Sequence, residues 1–145
     1  MKKNLFLFVV LLAMATFTAC KDEKDEPKPL TRAQILTSHD WKVDKVIEVS
    51  SSDTVEIVIE PCDKDNFQTF RPDGILVYDQ GNKKCYEGTD QTSITTWSLT
   101  EDNKVLKIAI LERPILELNE NKLVYESKYL WGNDTIYSTT TLIKY

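Results

Sequence analysis

Between Trp41 and Tyr145 the chain is cut into nine short runs rich in β-branched and aromatic residues, most of them alternating apolar with polar positions. That period of two constrains the fold more than any other feature, because a strand sends successive side chains to opposite faces. The runs are Trp41 to Val49, Thr54 to Ile59, Phe67 to Phe70, Ile75 to Asp79, Ser93 to Leu99, Val105 to Leu111, Ile115 to Leu118, Leu123 to Leu130 and Thr135 to Tyr145. A turn roughly every dozen residues is sandwich or barrel spacing and leaves no room for crossover helices. Only Thr31 to Ser38 reads as a helix, with Thr31 as its N-cap and Ile35 and Leu36 one turn on.

The connections carry turn chemistry. Arg71-Pro72-Asp73-Gly74, Glu101-Asp102-Asn103-Lys104, Asn119-Glu120-Asn121-Lys122 and Trp131-Gly132-Asn133-Asp134 place Pro, Gly, Asn or Asp where tight turns need them. All four glycines fall in connections, so none is left for a Gly-rich phosphate cradle. Short loops favour antiparallel neighbours, and a meander of eight or more strands finishes most economically by closing on itself. The predicted fold is therefore all-β, an up-and-down antiparallel barrel of eight to nine strands with a short N-terminal helix. A β-sandwich is the competing architecture.

The first residues differ in kind. Lys2 and Lys3 precede an apolar run from Leu5 to Ala15 and a small-residue boundary ending in Thr18-Ala19-Cys20, the layout of a secretory signal and too short to span a bilayer. Thr18-Ala19-Cys20 resembles the end of a bacterial lipobox, which implies that the Cys20 sulfur carries diacylglycerol and that residues 1–19 are removed. Loss of residues 1–19 leaves 126 residues with 16 basic and 23 acidic side chains, a charge of −7. Acyl chains hold such a protein at a membrane that it does not span. Residues 20–32, with Lys21-Asp22-Glu23-Lys24-Asp25-Glu26 followed by Pro27 and Pro29, read as a solvated tether. The acidic stretch directly after the cysteine resembles the export signal of outer-membrane lipoproteins in Bacteroidetes-type bacteria, which implies the cell surface as the address, with the periplasmic face as the alternative.

Cys62 and Cys85 are centred on the Pro72-Asp73-Gly74 turn, so a hairpin folded there brings them opposite each other. In an oxidising compartment they form a disulfide. Further along, Ile35-Leu36-Thr37-Ser38-His39-Asp40-Trp41 resembles the opening of lipocalin-like domains, with His39 at the usual place of a glycine. Cys62-Asp63-Lys64-Asp65-Asn66, Phe70 with Asp73-Gly74, Cys85, Trp97-Ser98-Leu99 and Leu106-Lys107-Ile108 are similar to the pattern of small lipocalin-like lipoproteins of the Bacteroidetes type. The resemblance covers residues 33–145, taken as the barrel domain; it implies the fold and no particular ligand.

Catalytic and metal chemistry find little to stand on. His39 is the only histidine, and no Gly-x-Ser-x-Gly elbow is present, so neither a Ser-His-Asp hydrolase nor a four-ligand zinc site can be assembled. Asp63, Asp65 and Asn66 offer oxygens to calcium, but Gln68 and Gly74 stand at the sixth and twelfth positions and break the EF-hand pattern. A formal charge of −5 without a Lys/Arg stripe argues against nucleic acid, and 41% hydrophobic residues exclude a disordered tail. No enzyme and no cofactor is expected, and the chain is expected to be a monomer.

Binding is the better case. Tyr125, Ser127, Tyr129 and Trp131 share one face of the eighth run, opposite Val124, Glu126, Lys128 and Leu130, and Tyr137, Thr139 and Thr141 repeat the theme in the ninth. The aromatic faces are predicted to point into the barrel, where Tyr125, Ser127, Tyr129, Trp131 and Tyr137 become candidates for holding a small, partly apolar ligand. The alternative is a filled barrel that serves as a protein- or glycan-interaction scaffold. Finally, Asp53-Thr54-Val55 and Asp134-Thr135-Ile136 resemble the O-glycosylation acceptor of the same bacteria, which makes Thr54 and Thr135 candidate modification sites.

Overall fold

The computed structural model describes residues 28–145. The expected signal peptide, the expected lipidation site Cys20 and the tether through Pro27 lie outside the described residues. Among the described residues one helix, α1 (Arg32–Thr37), precedes nine strands. They are β1 (Trp41–Val49), β2 (Thr54–Ile57), β3 (Phe67–Phe70), β4 (Ile75–Asp79) and β5 (Thr92–Leu99), followed by β6 (Val105–Ile108), β7 (Leu111–Asn119), β8 (Lys122–Trp131) and β9 (Asp134–Lys144). No helix among these residues is long and apolar enough to cross a membrane.

The strands pair antiparallel in the order β2-β1-β3-β4-β5-β6-β7-β8-β9, and β1 pairs again with β9. β1 and β3 to β9 thus form a closed eight-stranded barrel, with β2 attached to β1 as an extra strand. The predicted barrel is present and the sandwich is excluded. Several boundaries shift by one to four residues: β2 stops at Ile57, and the run Val105 to Leu111 is split by a turn at Ala109 and Ile110, so that β7 begins at Leu111 rather than Ile115. Ala109 adopts φ 52°, and Ile110 is almost fully exposed. Neither residue type advertises a turn, since a left-handed backbone ordinarily calls for Gly or Asn.

α1 closes one end of the barrel. Its Thr31 side chain accepts the Gln34 N–H at 3.2 Å while Gln34 Oε1 accepts the Thr31 N–H at 2.8 Å, a reciprocal capping box. The box orients Leu36 inward, where it is fully buried with Trp41, Phe70, Leu76, Leu106, Leu123 and Leu142. Trp41 donates its indole N–H to the Leu36 carbonyl at 2.9 Å, so even the one polar atom in this layer is satisfied. Phe70 and Trp97 meet edge to face at 5.3 Å.

The other end is left open by the pairing of β1. Its start touches β3 only at Trp41 opposite Gln68, whereas Val46 to Val49 pair with β2. β1 and β3 therefore diverge, and residues 58–66 run between β2 and β3 across the resulting wedge. The expected Cys62–Cys85 disulfide is present, with Cα atoms 5.1 Å apart, and ties this linker to the β4–β5 loop. A second tie lies beside it, where the Asn82 N–H donates to Asp65 Oδ2 at 2.7 Å. Gly81, at φ 62°, passes so close to the Asp65 carbonyl that any Cβ would collide with it.

Candidate functional site

Register decides which side chains see the barrel interior. Gln68 pairs with Trp41 and Tyr78, and Tyr78 pairs with Ser93, so Gln68, Tyr78 and Ser93 share the inward face. They line a cavity of about 350 Å³ at the open end. Val43 and Ile57 supply apolar wall from β1 and β2, and Val58 and Ile59 continue it along the linker. Glu60, Asp63, Asn66 and Asp79 rim the mouth. Beyond Glu60, Asp63 and Asn66 the hollow continues into a wider groove of about 500 Å³ that crosses the disulfide to Tyr86.

The polar side chains around this cavity include both donors and acceptors, and two of their oxygens are sealed away from solvent without a partner. Gln68 is 9% exposed and its Oε1 is buried without a hydrogen bond. Asn66 donates its Nδ2 to Asp63 Oδ1 at 2.8 Å, which leaves its own buried Oδ1 unpartnered. Leaving such an oxygen unsatisfied costs roughly 1–3 kcal/mol. Asp79 Oδ1 already accepts from the Gly81 N–H at 2.9 Å and from Gln91 at 2.7 Å, and holds the mouth loops. Among the described residues no lysine or arginine pairs with Glu60, Asp63 or Asp79.

Deeper inside, Arg113 lies 5.3 Å over the Tyr125 ring, and its buried Nε has no acceptor. Burial pushes the Tyr125 phenol above its ordinary value of about 10, against the opposing pull of Arg113. Tyr78 is raised too, first by burial and then by the Tyr125 phenol, with Arg113 again opposing. These three side chains form a polar layer between the cavity and the sealed end.

The aromatic candidates from the sequence divide. Tyr125 faces inward and is buried at 6% exposure, and Ser127 faces inward beside the Ser138 carbonyl. Tyr129 and Trp131 share that face, yet they are 40% and 76% exposed because the β8–β9 hairpin runs past the barrel rim. Tyr137 is a correction: it pairs with Val49 and Lys128 and so lies with Thr139 and Thr141 on the outward face, while Ser138, Thr140 and Leu142 face in. The expected inward aromatic wall therefore reduces to Tyr125. Gln68, Tyr78 and Ser93 were missed, although a glutamine in register with Phe70 and a tyrosine in register with Leu76 mark polar places on an inward face.

His39 shows no catalytic arrangement. Its Nδ1 lies 2.7 Å from Ser38 Oγ, but that hydroxyl donates to the Ile35 carbonyl at 2.9 Å and finishes the helix. The bond assigns the proton to Nδ1, so the serine is not activated by a base. Burial, and then Lys144, lower the His39 pKa. Asp63 lies close to both cysteine sulfurs, but these are bonded to each other. Thr54 and Thr135 are both exposed, at the barrel end away from α1, where Ser51 also donates to Asp134 at 2.9 Å.

No family model matches the chain. No curated protein matches it either.

Proposed function

We propose that this chain is a lipid-anchored envelope protein of the lipocalin-like kind that binds a small, partly apolar molecule at the open end of its barrel, without catalysis. One observation carries the binding: a cavity of about 350 Å³ whose apolar wall is interrupted by the polar side chains of Gln68, Tyr78 and Ser93. Small-molecule sites are concave, mostly apolar and oriented by a few convergent polar groups, and they start at about 300 Å³. The anchor rests on Cys20 and the signal that precedes it, and the disulfide agrees with folding outside the cytoplasm. Native mass spectrometry of protein purified from its own membrane tests the binding. Retained mass beyond the polypeptide, its lipid and any glycan is the expected result; a bare protein that also fails to bind any added alkyl compound overturns the proposal.

A second reading has its own observation. Leu130 and Trp131 at the β8–β9 hairpin are about three-quarters exposed, with Tyr137 46% exposed on the outer face nearby. Such a patch suits a protein or glycan partner. Loss of a captured partner on Trp131→Ala, with cavity ligands still bound, would favour that reading.

A further inference from the structure

β2 hangs on β1 alone, so one of its edges has no neighbouring strand among the described residues. Every residue of β2 is exposed, a pattern that no other strand shows. The register tells which backbone groups face that edge. The Ser50 N–H donates to the Asp53 carbonyl at 2.9 Å, so Val55 with Glu48 and Ile57 with Val46 are the next hydrogen-bonded pairs of the ladder. The N–H and C=O of Glu56 therefore point away from β1, as do the Thr54 carbonyl before it and the Val58 N–H after it. Among the described residues no backbone group bonds to them across that edge, whereas the Thr54 N–H is taken by Asp53 Oδ1 at 2.8 Å. The edge thus offers acceptor, donor, acceptor and donor in sequence, the pattern that an added strand reads.

Folded proteins usually guard such an edge with lysine, proline or a bulge. From Thr54 to Ile59 there is none of these: the run is Thr-Val-Glu-Ile-Val-Ile, β-branched at every place but Glu56. Val55 and Ile57 share the inward side of β1, because their partners Glu48 and Val46 pair in turn with Ser138 and Thr140. Glu56 faces outward beside Lys45, at 2.7 Å, and Val58 is 78% exposed. Hollows adjoin the edge on both sides, the cavity of about 350 Å³ within and one of about 400 Å³ without. Asp44, Glu48, Asp53, Glu60 and Asp63 stand around them and around the start of β2, and Lys64 is the one cationic side chain in these linings.

We propose that the β2 edge docks an extended, basic segment of another protein, which joins the barrel as an antiparallel strand. Main-chain hydrogen bonds to Thr54, Glu56 and Val58 hold it, apolar side chains at alternate positions lie beside Val55 and Ile57, and lysines or arginines between them lie beside Glu56. A second copy of this chain fits poorly, since its own edge brings the same carboxylates. The site goes beyond the small-molecule reading and does not depend on it.

The test titrates the full chain with a capped heptapeptide, Val-Lys-Val-Lys-Val-Lys-Val, and follows amide hydrogen exchange. Without peptide the Val55 and Ile57 amides should be protected and those of Glu56 and Val58 not; with peptide all four should be. The same peptide with glutamate for lysine should bind at least about tenfold more weakly, and salt should weaken the lysine peptide several-fold. N-methylation of the three lysine amides, and separately of the interior valine amides, should give unequal losses, because only alternate amides of an added strand face the edge. Glu56→Pro removes an outward N–H without breaking the ladder to β1, and should cut affinity by about tenfold, with thermal unfolding to report that it folds. If that variant unfolds, the methylated peptides decide. Equal losses from the two methylations, equal binding of the glutamate peptide, binding without new protection at Glu56 and Val58, or no binding at all each overturn the proposal. Decanol titration of the same protein tests the cavity separately.

Discussion

The two ends of this barrel are built from the same strands but solve opposite problems. At the sealed end a capped helical turn lowers Leu36 onto Trp41, Phe70, Leu76, Leu123 and Leu142, and the single indole N–H finds a carbonyl at 2.9 Å. At the open end β1 abandons β3 after one bridging pair, and the resulting wedge holds a cavity lined by Gln68, Tyr78 and Ser93 beside apolar wall. Close packing without a void marks a region selected for stability, even though Arg32 Nε and His39 Nε2 there lack partners. A cavity between diverging strands marks a region with room for a molecule from outside.

That contrast breaks most visibly by excavating the sealed end. Phe70→Ala removes a fully buried ring and should cost about 3–5 kcal/mol by denaturant unfolding, while a Tyr78→Phe change at the open end should cost far less. Equal losses would mean that the ends do not divide stability as described. Reduction, or Cys62→Ser with Cys85→Ser, should cost about 3 kcal/mol through loop closure, and should loosen the linker before the α1 end. Hydrogen exchange localises that loosening; uniform loss of protection would count against it.

The sharpest comparison is Gln68→Met, which replaces an unpartnered amide with an apolar side chain of similar shape. Removing a buried oxygen that lacks a donor should leave the ligand-free protein as stable as before, or more stable by about 1 kcal/mol. A drop of 2 kcal/mol or so would show that Gln68 is structural. The smallest effect is alkaline. Tyr78 and Tyr125 have phenols raised by burial, so their contribution is fully present below the ordinary value of about 10 and is lost as pH rises through their higher folded values. Urea midpoints between pH 9 and pH 11 should fall, and Tyr78→Phe with Tyr125→Phe should flatten part of that fall.

Much of the architecture was legible because it rests on local rules. Period-two runs located the strands, Thr31 marked the cap, and the symmetry of Cys62 and Cys85 about Gly74 predicted their bond. The turn at Ala109 and Ile110 escaped because an alanine in left-handed conformation is held there by tertiary hydrogen bonding of its N–H to Thr96, which no local pattern announces. The site was legible only in kind. Alternation sorts side chains into two faces, but naming the inward one in β9 needed the bulge between Val43 and Lys45 in β1 and the register that follows from it. How far a hairpin overhangs the rim is likewise a property of closure, and it leaves Tyr129 and Trp131 in solvent although they share the inward face. The cavity itself comes from a switch of partner by β1, an event between strands that composition does not record.

Backbone amide shift mapping of the chain titrated with decanol bears on the central claim most directly. The account predicts the largest shifts at Ile57, Gln68, Tyr78 and Ser93, with Leu123, Leu142 and the Trp131 hairpin nearly silent. Shifts centred on Tyr129 to Trp131, or spread evenly over the acidic surface, would contradict it.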